Sequence, residues 1–183
     1  MTTLETTRLI LRPWENRDRA PLAKILADAD VRRFYPSVAT PEETGAQIDA
    51  SIAKAAANGF HLQAAELKAT GALIGLIGIG VIPDDTRAAM RGNPRVEIGW
   101  QLDKAVWGQG LASEGALAWL DYARNTLDLD EVVAFTAAVN LPSQRVMEKI
   151  GMRRDPADDF EHPRVMLGSP LRPHVLYRIG NPR

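Results

Sequence analysis

The sequence predicts one mixed α/β (α+β) unit in which strands and helices alternate along the chain. Three observations lead there. Apolar residues switch repeatedly between a two-residue period and a three-to-four-residue period. Glycine, proline and capping residues mark the switches. A chain of 183 residues, 45% hydrophobic, supplies one sizeable core without help from a disulfide. Residues 1–183, with no internal repeat or low-complexity stretch, are read as a single domain.

Leu9 and Leu11 interleave with Arg8, Ile10 and Arg12 and stop at Pro13, the pattern of a first or edge strand whose two arginines face solvent. Asn16 or Asp18 caps a helix with Leu22, Ile25 and Leu26 on one face, and Pro36 closes that region. Thr40-Pro41-Glu42-Glu43 opens a second helix through Ile48, Ile52 and Ala57, ended by Asn58-Gly59. Phe60 to Leu67 and Ala72 to Ile82 are two strands of a hairpin turning at Lys68-Ala69-Thr70-Gly71. Gly75, Gly78 and Gly80 weaken the second strand unless another backbone approaches it there. Pro83 to Pro94 is polar and proline-bounded, either a plain connection or an exposed loop bordering a site.

Val96 to Leu102 reads as a strand, Gly108 to Thr126 as a helix, Glu131 to Val139 as a strand and Pro142 to Ile150 as a helix. The acidic, proline-rich interval from Gly151 to Pro173 lacks a period, and its carboxylates are expected to solvate a loop or attract a cation. His174 to Ile179 forms the last strand. Trp14, Phe34 and Tyr35 are core anchors or lining of an acceptor pocket.

Composition narrows the chemistry. The absence of cysteine removes thiol catalysis, disulfides and iron–sulfur clusters. With 22 basic and 23 acidic side chains there is no global field to hold nucleic acid or an anionic membrane. Glu5 and Arg8 interrupt the N-terminus before a signal sequence can form, and no run reaches the length of a membrane span, so a soluble, cytoplasmic protein is expected. His61, His162 and His174 are too dispersed to suggest a metal site.

Two strand-to-helix junctions carry the remaining chemistry. In Val96-Glu97-Ile98-Gly99-Trp100 through Trp107-Gly108-Gln109-Gly110-Leu111-Ala112, the two turn glycines expose backbone N–H groups just before a helix N-terminus. That arrangement suits a phosphate or pyrophosphate, although the same turn also serves close strand-to-helix packing. Ser113 breaks the dinucleotide G-x-G-x-x-G pattern, and no Gly-Lys-Ser/Thr follows. The second junction, Thr136 to Met152, places Asn140 and Ser143 at the mouth of a short helix, where either capping or ligand contact fits.

The order and spacing of these segments resemble the Gcn5-related N-acetyltransferase (GNAT) superfamily, and especially its bacterial ribosomal-protein N-terminal acetyltransferase-like branch. Thr6 to Trp14 extends the resemblance to the opening strand, so that it spans residues 6 to 179. It implies a central twisted mixed sheet, splayed between the Val96–Leu102 and Glu131–Val139 strands and flanked by helices. Acetyl-CoA would lie in the gap as acetyl donor, with no metal. The implied cofactor-binding residues are Trp100, Gln101, Leu102, Trp107, Gly108, Gln109, Gly110, Leu111, Ala112, Asn140 and Ser143.

The implied reaction is direct attack of a primary amine on the thioester. Glu97 is the expected base, and Ser143 the residue expected to assist the leaving sulfur. Two positions depart from the superfamily pattern: Trp107 stands where a basic or amide residue is frequent, and Met147 where a tyrosine acid is frequent. Met147 cannot donate a proton, and Tyr177 is a replacement only if the fold brings it near. The expected acceptor is a peptide or ribosomal-protein N-terminus, ahead of an antibiotic, polyamine or metabolite amine. A non-catalytic acyl-CoA-binding domain is the rival reading, and a monomer or homodimer the expected state.

Overall fold

In the computed structural model, which describes residues 2–180, nine strands share one sheet. They are β1 (Leu4–Glu5), β2 (Leu9–Arg12), β3 (Gln63–Leu67), β4 (Leu73–Val81), β5 (Val96–Leu102), β6 (Glu131–Ala137), β7 (Arg153–Arg154), β8 (Phe160–Glu161) and β9 (Pro173–Gly180). Their order is β1-β2-β3-β4-β5-β6-β9-β7, with β8 beside β9. All neighbours are antiparallel except β5 and β6. A parallel pair needs a long crossover, and the helix Leu111–Asn125 makes it.

The helices are α1 (Arg19–Leu26), α2 (Pro41–Asn58), α3 (Asp84–Arg87), α4 (Leu111–Asn125) and α5 (Leu141–Lys149). The α2 boundaries follow the sequence signals. Glu43 N donates to Thr40 Oγ1 at 3.2 Å, Thr40 N donates to Glu43 Oε2 at 2.8 Å, and Gly59 ends the helix at φ 83°.

Alternation along the central strands assigns the two faces. Leu9, Leu11, Ala65, Ile77, Ile79 and Ile98 pack with Leu111, Ala116 and Trp119 of α4. On the other face, Ala64 and Leu76 pack with Leu22, Ile25 and Leu26 of α1, Ile48 of α2, and Trp14. Each fully buried Leu or Ile contributes about 1.5–3 kcal/mol, so both helical layers are held mainly by apolar burial. Trp14 is thus a core anchor, and its indole Nε1 donates to Leu62 O at 2.9 Å.

Several expectations need correction. Arg12 does not face solvent: it is 8% exposed, donating to both Asp18 oxygens at 2.8 Å and to Glu66 at 2.9 Å. Its register partner Ala64 faces the α1–α2 layer, and the ion network lets Arg12 enter that same layer. Asp158, within the acidic interval, is likewise buried and accepts from Arg178 Nε at 2.6 Å. That interval also supplies β7 and β8.

The glycines do not break β4. A Cβ at Gly78 would fall 2.6 Å from Leu62 Cα, so the missing side chain admits a crossing backbone. The Pro83–Pro94 segment contains α3 and buries Thr86 and Met90. Finally, α4 begins at Leu111 rather than Gly108, because Gly108 and Gly110 take φ values of 75° and 79°, outside the helical region.

Candidate active site

Glu97 and Val133 are the one register pair between β5 and β6 among the described residues. By contrast, β5 stays paired with β4 along its length, and β6 with β9. The sheet therefore splays beyond Glu97, and the β5 edge facing the gap keeps unpaired backbone groups. A cleft of about 1000 Å³ fills the splay. Glu97 through Leu102 line one wall and Phe135 through Ala137 the other.

Glu97 stands at the apex. Its residue surface is partly open to the cleft, yet its carboxyl lies in protein-dense surroundings. Desolvation raises its pKa to about 7, with Lys54 opposing weakly. Because Glu97 pairs with Gly80 across β4, its side chain shares the α1–α2 face with Gly99 and Gln101. The side chains of Trp100 and Leu102 take the α4 face.

Beyond the end of β6, Asn140 is the N-cap residue of α5. Its Oδ1 accepts from Ser143 N at 3.3 Å, capping α5, while its Nδ2 donates to Ser143 Oγ at 3.1 Å and to Thr136 Oγ1 at 2.8 Å. Ser143 Oγ is thereby an acceptor toward Asn140, and its hydroxyl proton remains available to the cleft.

Trp107 to Ala112 form the cradle expected from the glycine turn. Gly110 is a left-handed N-cap without a side-chain bond, and Glu114 N is the amide that bonds back to Gly110 O. The Leu111, Ala112 and Ser113 amides precede that bond and point toward the helix end, where negative charge is stabilised. Lys149 Nζ lies 3.6 Å from the Cβ position of Gly110, and among the described residues no carboxylate pairs with it. The fit to a pyrophosphate rests on this turn and that uncompensated cation.

The sequence did not reveal what braces the loop. Arg8 Nη2 pairs with Glu114 at 2.6 Å and its Nη1 donates to Gln109 O at 3.0 Å, tying β2 to the turn. Residues 106 positions apart carry no local signal of such a bond. Trp107 Nε1 donates to Leu102 O at 2.9 Å and so fixes the turn to the end of β5.

Glu97, Trp100, Gln101, Leu102, Trp107, Gly108, Gly110, Leu111, Ala112, Asn140 and Ser143 all line this one cleft. Gln109 does not: its side chain donates to Ala105 O and its carbonyl faces Arg8. Met147 is buried at the cleft wall. Tyr177 bonds Glu148 at 3.1 Å and lies outside the lining, so it does not replace a tyrosine at the Met147 position.

On the α1–α2 face the cleft is lined by Arg32, Phe34 and Tyr35 and by Phe135, His162 and His174. The two imidazoles lie 4.7 Å apart, tilted by 45°, and burial lowers both their pKa values, that of His174 to about 4. The dispersed histidines are thus partly reunited by β9, yet no group of three potential metal ligands forms among the described residues. Nor is any described helix long and apolar enough to cross a membrane.

Comparison with known proteins agrees with this geometry. The chain is 34% identical over 152 residues to YkkB of Bacillus subtilis (strain 168), covering 82% of this chain and 85% of that one. It superposes on an acetyltransferase (GNAT family) from Bacillus anthracis with a TM-score of 0.79 at 27% identity, covering 98% and 99% of the two chains. A ribosomal-protein-S5-alanine acetyltransferase from Vibrio fischeri shares the fold, with a TM-score of 0.76 and coverage of 99% and 97%, at 14% identity. The acetyltransferase (GNAT) domain profile matches residues 8–153. The chain therefore belongs to the GNAT acetyltransferases, enzymes that pass an acetyl group from acetyl-CoA to an amine.

Proposed function

We propose that this cleft acetylates the primary amine of a small molecule, with the amine attacking the acetyl-CoA thioester directly. The observation that carries the reading is the convergence of Glu97 from β5 and Ser143 from α5 on one splayed gap. The donor supplies an activated acetyl carbonyl. Leu111, Ala112 and Ser113 amides with Lys149 hold its pyrophosphate, and the open β5 edge meets its pantetheine. Glu97 removes the proton that the nitrogen sheds as the C–N bond forms. Its pKa of about 7 leaves a large carboxylate fraction at neutral pH while keeping it basic enough for the transfer. Ser143 hydrogen-bonds the sulfur as the C–S bond breaks, and solvent completes protonation of the thiol.

A small-molecule acceptor is preferred here over a ribosomal-protein N-terminus. The resemblance to the ribosomal branch lies at the level of fold, since the ribosomal-protein enzyme named above is 14% identical. Phe34, Tyr35 and Phe135 also give the acceptor side aromatic walls, which suit a compact amine. The test joins calorimetry with acetyl-CoA, ATP and NAD to a turnover screen over amino acids, polyamines, aminoglycosides and N-terminal peptides, with mass spectrometry locating the acetyl group. Acetyl-CoA binding with transfer to small amines is expected. Binding of ATP without acetyl-CoA overturns the donor assignment, transfer confined to peptides overturns the acceptor class, and tight acetyl-CoA binding without any transfer leaves a binding domain.

A further inference from the structure

We infer that the acceptor carries a carboxylate as well as its amine, and that Arg32 receives this carboxylate while Glu97 faces the amine. The inference rests on the acetyltransferase reading above and specifies the substrate class of that same cleft.

The segment after α1 places Arg32 and Tyr35 in the cleft wall, on the face that Glu97 shares. Tyr35 N donates to Arg32 O at 2.8 Å, and this turn folds the ring under the guanidinium, 4.0 Å from its centroid. Arg32 Nε is spent on Ser37 O at 2.9 Å. Its remaining donors meet no side-chain acceptor, and no carboxylate among the described residues lies within ion-pair distance. Of the other cations that line the cleft, Arg164 grips Asp85 with two bonds of 2.8 Å, while Arg33, Arg145 and Lys149 are exposed to solvent. Arg32 is left half-buried and uncompensated.

Burial accordingly lowers its pKa, opposed by Tyr35 and Glu43. A desolvated guanidinium held by a backbone bond and an aromatic face is pre-organised for a planar two-oxygen anion. Glu97 is the complementary case, a desolvated carboxyl with no ion pair among the described residues. The two are linked through Tyr35, whose hydroxyl pKa burial raises, with the Arg32 charge opposing and the Glu97 charge adding. Although 42% of the Tyr35 surface is exposed, its hydroxyl lies in dense surroundings. An unpaired cation and an unpaired acid lining one cleft match an amino acid better than a diamine, whose second ammonium would meet Arg32.

The test measures kcat/KM for ω-amino acids of increasing length and for the common α-amino acids. Each is compared with its carboxamide and, for the ω series, with the diamine of equal length. At least one acid is expected to exceed its amide by about tenfold or more, the scale of a charge-assisted bond, with diamines poorest. In Arg32→Met that preference collapses through KM for the acid, Arg32→Lys restores part of it, and acetyl-CoA affinity by calorimetry stays within twofold. Equal use of acids and amides by the wild type, or a preference for diamines, overturns the inference even if the variants do not fold. A loss of acetyl-CoA affinity in a folded Arg32→Met also overturns it, by assigning Arg32 to the donor. Acetyl-CoA binding with no transfer to any amine defeats the enzymatic reading itself, and this inference with it.

Discussion

Asn140 holds Ser143 by two bonds of opposite sense, its Oδ1 accepting from the Ser143 amide at 3.3 Å and its Nδ2 donating to the Ser143 hydroxyl at 3.1 Å. One side chain thus caps α5 and leaves the serine proton free for a partner in the cleft. Ser143→Ala is expected to lower kcat by about 10- to 100-fold, the scale of one hydrogen bond to a developing charge, with little change in acetyl-CoA affinity. Asn140→Ala should show the same kinetic loss and also destabilise the protein by about 1 kcal/mol as the cap is lost. Denaturant melts alongside single-turnover kinetics separate the two effects, and full activity in Ser143→Ala removes its role.

Wild-type kcat/KM should rise with pH through a midpoint near 7, where burial has moved the Glu97 carboxyl. Glu97→Gln should lose that limb and about 100-fold or more of the rate, while binding acetyl-CoA as before. An unchanged pH profile in the variant would exclude Glu97 as base. Its stability carries a second signature. Since the folded pKa lies above the ordinary 4.5, the folded state holds the proton more tightly, and stability falls as pH rises from about 4.5 to 7. Glu97→Gln should therefore be more stable than wild type at pH 8 and close to it at pH 4.5, as read by thermal melts.

Two histidines act in the opposite direction. Burial lowers His61 and His174 to about 4 from 6.5. The folded state then resists protonation, so their contribution is fully present above pH 6.5 and is lost as pH falls toward 4. Replacing either by glutamine should flatten the decline in melting temperature between pH 6.5 and 4.5. An unaltered decline in both variants would show that other groups govern acid unfolding.

At the cradle, Gly110→Val should weaken acetyl-CoA binding more than tenfold, because a β-branched residue at φ 79° costs about 1–2 kcal/mol and crowds the turn. Lys149→Ala should weaken it several-fold and reduce its dependence on salt, as expected for a lost phosphate contact. Calorimetry at two ionic strengths distinguishes the variants, and unchanged affinity in both would move the pyrophosphate elsewhere.

Removing Arg12 should affect folding rather than turnover. Arg12→Met leaves Asp18 and the nearly buried Glu66 without their shared partner, an expected loss of about 3–5 kcal/mol. A urea melt shifted by less than 1 kcal/mol would mean that the acids are satisfied some other way.

Local patterns already determined much of this protein. Thr40 and Glu43 close a capping box within four residues, the glycines at 108 and 110 mark their own turn, and alternating apolar residues mark β4 to β6. These features depend on neighbours in the chain, and so did the resemblance that brought Glu97, Asn140 and Ser143 to notice. Only the folded chain decided that Arg12 is buried, that Arg8 braces Gln109 and Glu114, and that His162, His174 and Phe135 line one cleft with Arg32 and Tyr35. Their partners lie tens of residues away, and a charged side chain reads alike in sequence whether water or a distant carboxylate awaits it. The splay at Glu97 and Val133 is of the same kind, since strand divergence depends on what packs above and below the sheet.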